Sequence, residues 1–126
     1  MKVALALALL ALSGCGAPVV EEKSKLTQTS VIATKALANG ASLHIEKSYA
    51  GGATGDTLHK AWVCKLGITN CQLAATIDSH EGPPPEVRTT ASGAELVIRS
   101  TDTVWGFANF FYGPDGSGFR ITLTER

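Results

Sequence analysis

The side chains able to do chemistry are few in this 126-residue chain. His59, Cys64, Cys71 and His80 can be written as four ligands for zinc. Structural zinc sites, however, draw paired ligands two to four residues apart from a tight knuckle. His59 and Cys64 also differ in strand parity, which turns them to opposite faces. No metal or other cofactor is therefore expected. A Cys-x-x-Cys redox pair is absent as well, and this leaves a bond between the two cysteines themselves. His80 stands between Asp78 and Glu81, a setting that suits proton transfer or cation binding but is met more simply by a solvated polar loop.

The remaining cluster is aromatic. Between Asp102 and Tyr112 the chain carries Trp105, Phe107, Phe110, Phe111 and Tyr112. Taken as one strand, Trp105, Phe107, Asn109 and Phe111 share a face, and Phe110 and Tyr112 project from the reverse. A central core strand accounts for this if two layers enclose it. Otherwise one side offers a binding surface for a glycan, a peptide or a partner protein, with Trp105, Phe107, Phe110 and Tyr112 as its candidate residues. A short helix also fits, through Val104, Phe107, Ala108 and Phe111.

The elements that position these residues read as strands. Residues 60–66 and 71–78 form the best hairpin: Trp62, Cys64 and Leu66 share one face, as do Cys71, Leu73, Ala75 and Ile77. A turn at Gly67-Ile68 sets Cys64 opposite Cys71, within disulfide reach, and an exported location would permit the bridge. Leu43 and Ile45 alternate with His44 and Glu46 on a half-buried strand. Residues 30–40 lean to a strand and hairpin rather than an Ala-rich helix ending at Asn39-Gly40. Residues 50–56 form a glycine-rich loop without the Gly-Lys-Ser/Thr of a phosphate loop. Pro83, Pro84 and Pro85 carry the chain between sheet elements or along an edge. Short strands follow at 87–90, 94–100 and 119–125. The expected fold is all-β: a small, mainly antiparallel sandwich or partly open barrel, in one domain over residues 30–126.

Eleven basic and eleven acidic residues, with no like-charge run longer than Glu21-Glu22, offer nothing to a nucleic acid. No Gly-x-Ser-x-Gly elbow, His-Glu-x-x-His helix or dinucleotide fingerprint occurs. A domain near a hundred residues also leaves little room for a deep pocket beside its core. A non-catalytic role is expected, with a small hydrolase the lesser alternative.

The beginning of the chain supplies an address. Lys2 precedes about ten Ala, Leu and Val residues, half of the roughly 20 that a membrane-spanning helix needs, and small residues follow, as in a secretory signal. Leu12-Ser13-Gly14-Cys15 resembles the lipobox of bacterial lipoproteins. The resemblance implies that residues 1–14 are a signal peptide and that Cys15 becomes the first residue, carrying acyl chains, palmitate among them, that hold the protein to a membrane. Gly16 stands where inner-membrane retention usually places Asp, so the implied location is the outer membrane, facing the periplasm. Residues 15–29 then serve as a tether of at most about 45–50 Å.

Two further likenesses bear on the part after the signal. The strand leading into Gly51-Gly52-Ala53-Thr54 and the aromatic-bearing strand after it are similar to a group of small uncharacterised exported bacterial β domains, a likeness that implies no activity. Lysozyme-inhibitor lipoproteins are also small and β-rich, but their Ser-Gly-x-x-Tyr signature is missing: Ser92-Gly93-Ala94-Glu95-Leu96 has no tyrosine. The expected function is a membrane-anchored binding or inhibitor module, its partner an envelope protein or a glycan; the alternative is a structural or accessory role in the envelope.

Overall fold

The computed structural model describes residues 21–49, 57–80 and 82–126. The signal segment, Cys15, Gly51-Gly52-Ala53-Thr54 and Glu81 lie outside these described residues. The chain runs through β1 (Glu22–Lys25), β2 (Val31–Ala36), β3 (Ser42–Tyr49), β4 (Thr57–Leu66) and β5 (Thr69–Asp78). It continues as β6 (Glu86–Thr90), β7 (Gly93–Ile98), β8 (Thr103–Phe107), β9 (Phe110–Tyr112) and β10 (Gly118–Glu125). One sheet has the order β1-β5-β4-β3-β2, with β8 also pairing with β5; the other is β6-β7-β10-β9. All neighbours are antiparallel except β7 and β10. The fold is an all-β sandwich and not a closed barrel. Among the described residues no helix is long and apolar enough to cross a membrane.

Alternation builds the interlayer core. Leu43 and Ile45 of β3 lie opposite Val63 and Ala61 of β4, and all four are buried with Ala75 and Ile77 of β5. The second sheet meets them with Val87, Ala94, Leu96, Ile98, Phe111, Phe119 and Ile121. Burying each larger aliphatic side chain contributes roughly 1.5–3 kcal/mol, so this shared face holds the two sheets together. At Gly93 the backbone of β7 comes so close to β10 that any side-chain carbon would collide with the Arg120 carbonyl oxygen.

The hairpin forms with its two-residue turn at Gly67-Ile68, and Cys64 lies opposite Cys71 with Cα atoms 4.0 Å apart, joined by a disulfide. Its facing pattern differs from the expected one. Ala61 pairs with Ala75 and Trp62 with Leu73, so Ala74 is an extra residue, a β-bulge in β5. Cys71 and Leu73 thereby face away from the interlayer core, with Trp62 and Cys64, while Ala75 and Ile77 face into it. Leu66, expected beside Trp62, is exposed at the strand end.

The start of the domain is also earlier than residue 30. Glu22–Lys25, expected within the tether, pair with β5 from Gln72 to Thr69. An edge strand with one face in solvent needs little apolar periodicity, which is why this segment reads as linker. β1 and β2 lie at opposite edges of the five-strand path, yet only residues 26–30 separate them. That connection crosses the outer face of the sheet. Leu26 donates its N–H to the Ile68 carbonyl at 2.9 Å and, with Val31, covers Trp62 and the disulfide. A second, smaller core results.

Candidate functional site

The aromatic stretch is two strands and not one. In β8, Val104 lies opposite Ile77 and Trp105 opposite Thr76, then the register slips at Gly106 before Phe107 meets Ala75. Gly106 has φ +66°, a backbone state that glycine adopts at little cost, and it breaks the alternation. Ala108 next donates its N–H to Ala74 at 2.8 Å, and the Asn109 carbonyl accepts from Ile121 at 2.9 Å. The chain thus leaves one sheet at Ala108 and joins the other at Asn109.

This corner decides which rings are buried. Phe111 points inward, stacked on Phe119 with ring centroids 5.8 Å apart. Phe110 and Tyr112 point outward from β9, edge to face at 5.2 Å, and the Phe110 ring lies over Gly118, where a side chain would displace it. Trp105 is 57% exposed, Phe107 41%, Phe110 48% and Tyr112 60%. The single strand with Trp105, Phe107 and Phe111 on one face is therefore corrected by the Gly106 irregularity and the change of sheet. Four large rings stand in solvent: Trp105 and Phe107 on β8 of the first sheet, with Trp105 on its outer face, and Phe110 and Tyr112 on the outer face of β9 in the second. Isolated exposed apolar residues are ordinary on any protein; four large exposed rings within eight positions of the chain make this stretch the candidate contact surface.

The polar residues gather at the end of the sandwich near the proline run. Buried His59 shares a 3.0 Å hydrogen bond between Nδ1 and Ser79 Oγ. The Arg99 Nη2 donates to the Ser79 carbonyl at 3.1 Å, and Arg99 pairs with Asp102 at 3.4 Å. His59 titrates below the usual histidine range because burial disfavours the charged ring; Lys47 pushes the same way and Asp102 opposes. A serine beside a histidine is the geometry of a nucleophile and its base. Ser79 is only 1% exposed, however, so no substrate reaches it in this conformation. His59 lines a cleft of about 200 Å³ with Lys47, Thr57 and Pro84, below the roughly 300–1,000 Å³ typical of ligand pockets. The group acts as a bracket that ties the loop after β5 to the turn after β7.

His80 lies outside this bracket. Its backbone N–H donates to Asp78 Oδ1 at 3.0 Å, and its Nε2 is 3.2 Å from Thr103 Oγ1. The four zinc ligands imagined from the sequence do not meet: the cysteines are bonded to each other on the outer face, and His59 is on the inner side of β4.

No protein family, curated protein or solved structure matches this chain. Its function has to be argued from its own residues.

Sequence reasoning passed over one cluster. On the outer face of the first sheet, the His44 Nε2–H donates to the Gly67 carbonyl at 2.7 Å and its Nδ1 shares a 2.9 Å hydrogen bond with Thr34 Oγ1, which ties β3 to both β2 and the β4–β5 turn. Beside it, Lys23 lies 5.3 Å from the centre of the Trp62 ring and 3.8 Å from Glu46. The available signal was the alternation of Leu43 and Ile45 with His44 and Glu46, which puts two polar residues together on a face that only a covering segment could bury.

Proposed function

We propose that this chain is an exported lipoprotein, acylated at Cys15 and held at the bacterial envelope, that works as a non-catalytic binding module through the aromatic edge formed by β8 and β9. The observation that carries the reading is the exposure of Trp105, Phe107, Phe110 and Tyr112 in a domain whose two cores are complete without them. Aromatic rings of this kind give large contact area at small cost in side-chain freedom. The lipobox-like Leu12-Ser13-Gly14-Cys15 supports the address. Acyl chains would confine the domain to one surface, where a weak contact gains from high effective concentration.

The test is site-specific photocrosslinking in intact cells, with the reactive group at Tyr112 and, as a control, at Thr122 on the outer face of β10. Adducts with an envelope component at Tyr112 alone, lost in Cys15→Ala, support a tethered binding module. Equal adducts at both positions would show that β9 has no privileged contact, and the weight would pass to a structural or accessory role. Equal membrane recovery of wild type and Cys15→Ala would remove the lipid anchor from the reading.

A further inference from the structure

Near the proline run, three polar side chains continue a face of the first sheet that is otherwise core. Lys47 lies opposite His59 across β3 and β4, two residues beyond the buried Ile45–Ala61 pair, and Thr57 comes two residues before His59. Period two turns all three to the inner side of the sheet. They line a cleft of about 200 Å³ with Ile32, Gly82 and Pro84. Gly82 forms part of the wall because it lacks a side chain, whose first carbon would collide with the Arg99 guanidinium. His59 is only 3% exposed, and its Nδ1 is engaged by Ser79 Oγ. Ser79 does not line the cleft, so the ring turns its other edge, with Nε2, toward it. Among the described residues Nε2 has no hydrogen-bond partner, and unlike Arg99 Nε it is not sealed from water. A buried polar atom without a partner in the protein calls for one from outside.

We propose that this cleft binds a small tetrahedral oxyanion, a phosphate or sulfate group, through Lys47 Nζ, His59 Nε2–H and the Thr57 hydroxyl. The site is distinct from the aromatic surface and does not depend on acylation of Cys15. Its three polar side chains can all donate, and among the described residues no carboxylate lines it. The described acids nearby are engaged elsewhere: Asp102 accepts from the Arg99 N–H at 2.9 Å and Asp78 from the His80 N–H at 3.0 Å. Lys47 is exposed and joins no ion pair among the described residues. A Ser79 hydroxyl that donates to Nδ1 leaves the ring proton on Nε2, where an anion would meet it. The cleft holds the volume of about seven waters at ~30 Å³ each, which admits one such group and excludes a larger body except by its terminal phosphate. Burial and Lys47 both disfavour the charged His59 ring, and only Asp102 opposes them. An anion between Lys47 and His59 offsets both, so ring protonation and anion binding strengthen each other.

Sulfate is the first probe, because it stays doubly charged through the range in which histidine titrates. The full-length chain, in a nonionic detergent, is titrated with sodium sulfate against sodium chloride at equal ionic strength. The ring C–H signals of its three histidines are followed by NMR. The His59 signals should move to saturation and their titration midpoint should rise, while those of His80, half exposed and outside the cleft, stay in place. Sulfate should bind about tenfold tighter at about pH 5 than at about pH 8, the direction set by one added unit charge beside an anion. Lys47→Gln, at an exposed position, should fold normally and weaken binding about tenfold. His59→Asn should abolish its pH dependence. Inorganic phosphate and methyl phosphate, run in the same way, separate the sources: binding of both assigns a terminal phosphate group, and binding of the first alone assigns the free ion. Equal movement of His59 and His80 would be general screening and would overturn the site. His59 signals indifferent to sulfate, or sulfate binding unchanged in Lys47→Gln, would overturn it as well and leave His59 to its bracket alone.

Discussion

The indole Nε1 of Trp62 donates a 3.2 Å hydrogen bond to Glu46 Oε1, and both residues are buried on the face of the sheet that points away from the interlayer core. Two rows of side chains meet there. Trp62 lies opposite His44, and Glu46 lies one pleat further along the same strand as His44. A tryptophan on an outer face would ordinarily be exposed. Here the crossing of residues 26–30 closes over it, with Leu26 on the ring and Lys23 above it.

Glu46→Ala should therefore destabilise the domain by about 1–3 kcal/mol, since the buried indole N–H is left without an acceptor. Glu46→Gln keeps an acceptor and loses only the charge facing Lys23, an interaction 3.8 Å long with one partner half exposed, and should cost less. Urea unfolding of the two variants measures the difference. Equal losses would mean that the charge, and not the hydrogen bond, is what Glu46 contributes.

The disulfide lies under the same covering segment. Its loop spans seven positions in sequence, and on the chain-entropy account such a loop contributes about 2–3 kcal/mol. Cys64→Ser/Cys71→Ser should lower stability by that amount and leave the β-sheet circular dichroism signal intact, because the register of the hairpin is also held by the Gly67-Ile68 turn and its ladder. Loss of the sheet signal in the double variant would show that the bridge is needed for folding.

Much of this arrangement was legible in the sequence, and the failures have a common cause. Period two placed Leu43 and Ile45 in the core, and the spacing of Cys64 and Cys71 around a two-residue turn gave their pairing. Both readings use local alternation alone. Ala74 defeats it: alanine suits either face, so nothing in Leu73-Ala74-Ala75 marks a bulge, and the residues on either side exchange faces. Gly106 does the same in the aromatic stretch, although a glycine between Trp105 and Phe107 was a visible warning of an irregular strand. Glu22–Lys25 was missed because its pairing is supplied by β5 and not by its own composition. At the candidate surface the four residues were legible by type; which of the neighbouring rings is buried depended on the change of sheet at Ala108, a tertiary event.

His59 makes stability depend on pH with a definite sign. Its ring is held below the ordinary value of 6.5 chiefly by burial, so the unfolded chain binds a proton that the folded chain resists. The contribution is fully present above about pH 6.5 and is lost as pH falls from there through the lower folded-state value. The groups that set this balance are Lys47, opposite on β3, and Asp102, with Ser79 on Nδ1. Melting temperatures at about pH 7.5 and about pH 5.5 should fall further for wild type than for His59→Asn, which keeps a polar atom near Ser79 but cannot titrate. Parallel falls would place the pH dependence elsewhere.

Trp105 and Phe111 provide the sharpest contrast, because they stand six residues apart in one aromatic run and the fold assigns them opposite roles. Phe111 is buried and stacked on Phe119; removing its ring opens a cavity between the sheets, and Phe111→Ala should cost about 3–5 kcal/mol. Trp105 projects beside Thr76 on an outer face with more than half its surface in water, so Trp105→Ala should cost less than about 1 kcal/mol. The order reverses for contact: Trp105→Ala should weaken whatever the edge engages while the melting point holds. Thermal unfolding and Tyr112 crosslinking, run on the same two variants, separate the roles. A Trp105→Ala loss as large as that of Phe111→Ala would return the whole stretch to the core and leave the domain without its contact surface.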